Sequence, residues 1–315
     1  MKVKLIAEFC QNHNGNREYL KTMIYSAVKA GFTHAKIQGL YSNELNRREE
    51  FEEKGSPVFR PFDKEFERLK KLDLSEDDEN WFVEESKRAG ITPMITVFTH
   101  SGVERARQSG FTSIKIASYD CASIPLIRRV ANFASELVVS TGATSWEDVK
   151  KTAQILKTFK SSSIEVALLH ARTIYPTPSD CTGLARLLAL KEFNLPVGFS
   201  DHSRPDVDGL LATKFALVLG AEVVERHFTV LDKSQTKDGP VSINEAEAAK
   251  ISSFAAMSLE EKMANLDNEI LRLGEFIKLS NFEPSDVEIM NAKYYRGRVG
   301  SIINGKRLFG WDEIE

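Results

Sequence analysis

The 315-residue chain is 42% apolar, 28% charged and 9% aromatic, a globular composition that excludes disorder and a fibrous repeat. Its 42 basic and 45 acidic residues leave a net charge of −3 with no basic stripe, which excludes nucleic acid or an anionic membrane surface as partner. Cys10, Cys121 and Cys181 form no CxxC pair, so no disulfide framework or cysteine zinc cage is expected, and with no run of about 18 apolar residues and no signal peptide, the expected compartment is the cytoplasm.

Taken in chain order, short apolar runs rich in β-branched residues alternate with amphipathic stretches. The first run, 3–10, is followed by Leu20, Met23, Ile24, Ala27 and Val28 at i, i+3, i+4, i+7, i+8, with Asn16 to open the helix and Gly31 to close it. Further runs follow at 34–38, 92–99, 113–118, 136–142, 164–170, 196–202 and 222–229, making eight. A helix starts at Ser145, with Glu147 and Asp148 in its first turn where the helix dipole favours acids.

Eight buried strands, each followed by a helix, predict a (β/α)8 TIM barrel, because parallel strands covered by helices read as continuous apolar runs and closure removes the sheet edges. The barrel domain is assigned to residues 1–276 and a short C-terminal extension to 277–315. The charged stretch 41–80, between the second strand and its helix, is expected to be a partial lid, and 243–276 one long helical run.

A barrel carries its active site at the C-terminal ends of its strands, and here every such end is polar. Residues two apart share a strand face, so Lys36 with Gln38, Ser200 with His202, and Glu225 with His227 point together into the mouth. His202 and His227 could share a divalent ion. Lys36 and Lys115 with Ser118, Ser140 and Ser200 suit a small phosphorylated anion. A Schiff base on Lys115, as in pyruvate aldolases, is the competing chemistry. A self-satisfied polar plug and a non-catalytic sugar or phosphate binder are the alternatives without catalysis. His13 suits a tight turn; His34, His100 and all three cysteines are assigned structural roles.

Ala7-Glu8 with Asn12-His13-Asn14-Gly15, Lys36-Ile37-Gln38, Lys115-Ile116, Ser140-Thr141-Gly142, Tyr175-Pro176-Thr177-Pro178, Gly198-Phe199-Ser200-Asp201-His202-Ser203 and Glu225-Arg226-His227-Phe228-Thr229 together resemble the sialic acid synthase family, which makes N-acetylneuraminate, legionaminate and pseudaminate. The resemblance runs from about Lys4 to Ser242 and implies a transferase of carbohydrate biosynthesis. Such an enzyme condenses phosphoenolpyruvate with an open-chain aldose of the N-acyl hexosamine type, giving a 2-keto-3-deoxy sugar acid and phosphate.

By matching positions, the resemblance makes His202 and His227 ligands of a divalent metal, manganese first, with magnesium or cobalt as alternatives. Thr96, Lys115, Ser118, Ser140 and Ser200 would contact phosphoenolpyruvate. Glu8, Lys36, Lys115 and Glu225 would be catalytic, and Gln38, Asp120, Thr173, Tyr175 and Asp238 would border the sugar. Asp120 stands where the family has glutamate and Thr173 where it has asparagine. The family's antifreeze-like sugar-reading domain is not expected here, so Arg296 or Arg298 of the extension is expected at the acceptor pocket, in this subunit or a neighbouring one of a homodimer.

Overall fold

Each of the eight predicted strands forms, and each pairs in parallel with its neighbours around a closed barrel. The structure is a computed structural model describing residues 2–55, 58–160 and 164–314. The strands are β1 (Lys4–Cys10), β2 (His34–Gly39), β3 (Thr92–Val97), β4 (Ser113–Ile116), β5 (Glu136–Ser140), β6 (Glu165–Ala171), β7 (Val197–Asp201) and β8 (Val223–His227). The covering helices are α1 (Arg17–Lys29), α2 (Phe62–Lys70), α3 (Glu76–Ala89), α4 (His100–Gln108), α5 (Ile124–Ala131), α6 (Trp146–Lys160), α7 (Ala185–Leu190), α8 (Pro205–Asp208), α9 (Leu211–Val218) and α10 (Glu245–Ala256). No helix among the described residues is long and apolar enough to cross a membrane.

Local chemistry sets the helix ends. The Asn16 side chain accepts from the backbone N–H groups of Glu18 at 2.8 Å and Tyr19 at 3.3 Å, satisfying donors that the first turn of α1 leaves free. At its other end Gly31 has φ +82°, a left-handed turn that favours glycine, and it lies against Ser252 of α10, whose Oγ a Cβ at this position would push aside.

Two apolar layers follow from strand parity. One lies between strands and helices; the other, Ile6, Met94, Val138, Ala167, Leu169 and Val223, fills the barrel interior. Burying each larger side chain of this kind contributes roughly 1.5–3 kcal/mol. Gly198 belongs to the inner layer, and a Cβ there would lie 2.1 Å from the Val223 carbonyl oxygen, so the barrel closes only with glycine at that point. One residue pair further along the same strand faces come Glu8, Thr96, Ser140, Ser200 and Glu225, in the mouth.

The opposite end is closed by Glu136 at the start of β5. Its carboxylate contacts the Lys4 ammonium and the Ser113 hydroxyl and lies 3.0 Å from His34 Nε2. Burial alone would raise its pKa; the His34, Lys4 and Ser113 contacts hold it at about 2.

The segment expected as one long helix, 243–276, is instead α10, α11 (Leu259–Asn265) and the start of α12 (Leu273–Ile277). The break is chemical: α10 ends at Ala256 with Met257 already extended, and Ser258 with Glu261 forms a capping box that starts a new helix. The stretch 41–80 contains α2 and the start of α3. Beyond α12, α13 (Asp286–Tyr295) crosses the mouth and leads into a hairpin of β9 (Ser301–Ile303) and β10 (Lys306–Leu308). Both outlying segments pack together: Leu45, Leu69 and Val299 share a small core, Asn46 N–H donates to the Arg298 carbonyl at 2.8 Å, and Gly300 N–H donates to the Glu44 carbonyl at 3.0 Å. His100 anchors the tail, its Nε2 lying 3.0 and 3.1 Å from the Phe309 and Asp312 carbonyls.

Candidate active site

A cavity of about 380 Å3 opens at the C-terminal ends of the strands. Its floor is an ionic lattice of four strand residues. Lys36 contacts Glu8, donates to Thr96 Oγ1 at 2.9 Å and lies 3.5 Å from Glu225. Lys115 pairs with Glu225 Oε2 at 2.6 Å, while Ser200 Oγ donates to Glu225 Oε1 at 2.7 Å. The Cys10 N–H donates to Glu8 Oε1 at 2.7 Å. Each carboxylate is thus fixed at both oxygens, which orients the lysines.

The electrostatics follow from burial and pairing. Although burial opposes it, the Lys115 and Lys36 charges and the Ser200 hydroxyl hold the Glu225 carboxyl well below the usual carboxylate range. Burial lowers the Lys115 ammonium to about 8, with Glu225 opposing and Lys36 reinforcing the shift. Lys36 ends above the ordinary lysine value because Glu225 and Glu8 overcome its desolvation.

His202 and His227 face each other across adjacent strands, ring centroids 5.4 Å apart. His202 Nδ1 lies 2.7 Å from the Arg172 carbonyl oxygen, which can only accept, so Nδ1 carries the proton and Nε2 presents a lone pair to the mouth, where the Tyr175 hydroxyl donates at 3.1 Å. Burial and the neighbouring His227 lower His202 to about 3. His227 Nδ1 is buried with no hydrogen-bond partner.

Among the described residues, Cys10, His227 and Asp238 form a group that could hold a metal ion, with ligand atoms all within 4.8 Å of one another. Cys10 Sγ donates to Asp238 Oδ2 at 2.9 Å. Burial, then the Asp238 and Glu8 charges, push the thiol well up, so it stays protonated until a cation displaces the proton. One thiol, one imidazole and one carboxylate with an unsatisfied buried imidazole nitrogen fit a divalent transition metal. Of the expected pair of histidines, His227 belongs to this group and His202 does not; its other donors are Cys10 and Asp238, the latter expected at the sugar. Cys10, assigned a packing role, lines the mouth. The β1–β2 register shifts between Glu8 and Cys10, and Cys10 has φ +47°, so strand alternation from Glu8 does not predict where its thiol falls.

The remaining expected residues divide. Gln38, Thr96, Ser118, Ser140, Thr173, Tyr175, Ser200 and Asp238 line the main cavity; Asp120 lines a separate, smaller one of about 30 Å3, behind Tyr119 and Tyr295. Burial lifts Asp120 to about 7 against the Arg296 charge and the Ser123 hydroxyl. Arg298 reaches the main cavity with Asn291 and Tyr295, whereas Arg296 sits over Trp311. Arg60, Arg68 and Lys237 also line the main cavity; they were not anticipated, because Arg60 and Lys237 lie outside any regular element and nothing in the sequence places α2, which carries Arg68, over the mouth. His13 is buried in its turn, its Nδ1 accepting from Gly15 N–H at 3.0 Å, and His34 lies at the far end of the barrel.

A closed (β/α)8 barrel with a charged, metal-competent mouth at the strand C-termini defines a barrel enzyme acting on small anionic substrates. Residues 23–264 match the model of the NeuB family, and the chain belongs to that family. It is 30% identical over 292 residues to the N,N'-diacetyllegionaminic acid synthase of Legionella pneumophila, covering 90% of this chain and 76% of that protein. It is 31% identical over 281 residues to a pseudaminic acid synthase of Campylobacter jejuni, covering 86% and 79%. Among solved structures it is similar to the N-acetylneuraminic acid synthetase of Leptospira borgpetersenii, with a TM-score of 0.68 and 25% identity over 93% of this chain and 91% of that one.

Proposed function

We propose that this enzyme condenses phosphoenolpyruvate with an open-chain N-acyl hexosamine, yielding a 2-keto-3-deoxy sugar acid of the sialic type and phosphate. The observation that carries this reading is the lysine-glutamate floor lying beneath the Cys10, His202, His227 and Asp238 donors in one cavity. Lys36 and Lys115, with Thr96, Ser118, Ser140 and Ser200, bind the phosphate and carboxylate of phosphoenolpyruvate and orient its methylene carbon upward. Cys10, His227 and Asp238, with His202 beside them, would hold a divalent ion, manganese first. When bound, that ion supplies Lewis acidity toward the aldehyde oxygen.

In the reaction, the methylene carbon forms a bond to the aldehyde carbon as the aldehyde C=O opens and its oxygen takes up a proton to become a hydroxyl; water adds to the neighbouring carbon, and the bond from that carbon to the bridging oxygen breaks as the added oxygen becomes the keto group, so phosphate leaves carrying the bridging oxygen. Glu8, held by Lys36 and the Cys10 N–H, is placed to take the proton of the incoming water, and Glu225 holds both ammonium groups where negative charge develops. The 2.6 Å Lys115–Glu225 ion pair supports Lys115 as a cation rather than an imine-forming amine. Gln38, Thr173 and Tyr175 border the sugar, with Asp120 set one layer behind. The family resemblance also leads us to place a homodimer in the cytoplasm, which sedimentation velocity and cell fractionation check.

The decisive experiment follows phosphate release from phosphoenolpyruvate labelled with 18O in the bridging position, with manganese and a panel of N-acyl hexosamines. Label recovered in phosphate, together with loss of turnover in chelator, is the expected result. Full activity in chelator, or a borohydride-dependent mass increase on Lys115 with pyruvate, overturns it.

A further inference from the structure

The chain just past β6 is held in place by a helix of the C-terminal extension. Glu288, in the first turn of α13, is 1% exposed, and a glutamate is almost never buried so fully unless it is paired. Its Oε2 accepts from the Ser285 N–H and hydroxyl, each at 3.0 Å, and pairs with the Arg172 guanidinium at 3.0 Å. Its Oε1 accepts from the Thr173 N–H at 3.1 Å. A carboxylate has about four lone-pair sites, and these donors fill them. Asn291, one turn further on the same helix face, donates from Nδ2 to the Thr173 carbonyl at 2.9 Å and lines the main cavity. Capping the helix needs only the Ser285 contacts, so half of the bonding capacity of Glu288 is spent on residues more than 100 positions away.

Those bonds fix the peptide group between Arg172 and Thr173. It is trans, since the cis bond among the described residues is Tyr175–Pro176, so its N–H and C=O lie in one plane and point opposite ways. On one side the N–H meets Glu288; on the other the C=O meets His202 Nδ1 at 2.7 Å. The far nitrogen of that ring does not choose a tautomer. Nε2 is flanked by the Tyr175 hydroxyl at 3.1 Å, which can donate or accept, and by Ser200 Oγ at 3.4 Å, whose own hydrogen goes to Glu225. The bond on the Nδ1 side therefore decides, and a carboxylate on the N–H polarises the amide, which strengthens its carbonyl as an acceptor. Histidines at metal centres are commonly oriented by a partner on the ring nitrogen away from the metal; here that partner is a peptide group that is itself held by a buried carboxylate.

We propose that Glu288 is a positioning residue for His202, acting through the Arg172–Thr173 peptide. It keeps the proton of His202 on Nδ1 and the Nε2 lone pair toward the mouth, and with Asn291 it sets the part of the cavity wall that Thr173 and Tyr175 form. This rests on the reading that His202 stands beside the metal donors of a synthase. The extension thus completes the site within its own subunit, through α13.

The test uses the full-length, metal-free protein labelled with 15N-histidine, in which long-range 1H–15N spectra report the tautomer of each imidazole; the His202 signal is assigned by its loss in His202→Gln. In the native protein His202 should carry its proton on Nδ1. In Glu288→Ala the form protonated at Nε2 should appear, and the dissociation constant for Mn2+, followed by electron paramagnetic resonance, should rise about 10- to 100-fold. Glu288→Gln keeps one oxygen for the Thr173 N–H and loses the charge facing Arg172, so it should fall between native and Glu288→Ala. Ser285→Ala removes a donor on the helix side and leaves Arg172 and Thr173 their bonds, so it should lower the melting temperature yet keep the native tautomer.

A native His202 tautomer in folded Glu288→Ala or, where that variant does not fold, in Glu288→Gln overturns the assignment. An equal tautomer change in Ser285→Ala also overturns it, because the effect would then belong to the docking of α13 at large. Failure of the underlying synthase reading shows itself differently, as no phosphate release with any aldose or no Mn2+ binding by the native protein. The tautomer comparison needs neither activity nor metal, so it decides the role of Glu288 in that case as well.

Discussion

Glu136 and Glu225 are buried glutamates on strands of the same barrel, one at each end. Glu136 is answered by His34, Lys4 and Ser113, and none of these groups faces the main cavity. Glu225 is answered by Lys115, Lys36 and Ser200, all of which line that cavity, and beside it His227 Nδ1 has no partner. A buried charge network alone therefore does not mark a site, because a saturated one is a plug. Open volume, surplus cations and an unsatisfied imidazole distinguish the reactive end.

Removing a member at each end should separate function from stability. His227→Ala is expected to lower kcat/KM by about 1,000-fold or more while leaving the melting temperature nearly unchanged, since a ligand that makes no hydrogen bond at Nδ1 takes little packing with it. Phosphate-release kinetics beside calorimetry check this, and a large fall in melting temperature would erase the contrast between the ends.

Glu136→Ala should do the reverse. Stranding His34, Ser113 and Lys4 is expected to cost about 3 kcal/mol of stability, with kcat changed less than twofold where the variant is folded. Its acid sensitivity has a defined sign. A carboxyl held at about 2 when folded contributes stability that is fully present above the unfolded value of about 4.3 and is lost as pH falls toward 2. Denaturant titrations at a series of pH values should show that loss in the native protein, and Glu136→Gln should flatten it.

The smallest effect sharpens the reactive end. Lys115 at about 8 loses its proton at mildly alkaline pH, so kcat/KM for phosphoenolpyruvate should fall about tenfold per unit above that value. A profile flat to pH 10 would show that the Glu225 pairing keeps this lysine charged throughout. Lys115→Arg should remove the alkaline limb while retaining measurable phosphoenolpyruvate binding.

Much of this architecture is legible in the sequence because it depends on short-range rules. Period-two and continuous apolar runs announce the strands, Asn16 and Gly31 bracket α1, and the two-residue spacing of Glu225 with His227 and Ser200 with His202 fixes which side chains share a face. The Ser258–Glu261 capping box announces the break in the expected long helix, a miss that lay within reach of local reasoning. Cys10 did not, because an irregularity in β1 between Glu8 and Cys10 breaks the alternation that the rule needs.

What only the tertiary structure decided involves contacts between residues far apart in the chain. Whether a strand-borne glutamate is a plug or part of a site depends on which strand end it occupies and on partners over 100 residues away, as for Glu136 with Lys4 and for Glu225 with Lys115. Asp238 joins Cys10 across 228 positions and Arg298 joins Glu65 across 233. The sequence by itself determined the barrel, the polarity of its mouth and the pairs on each strand face, since those follow from backbone geometry within a few residues. The cations around the mouth and the tail lying across it were decided by how loops and outlying helices pack onto the barrel, a docking that no local periodicity determines.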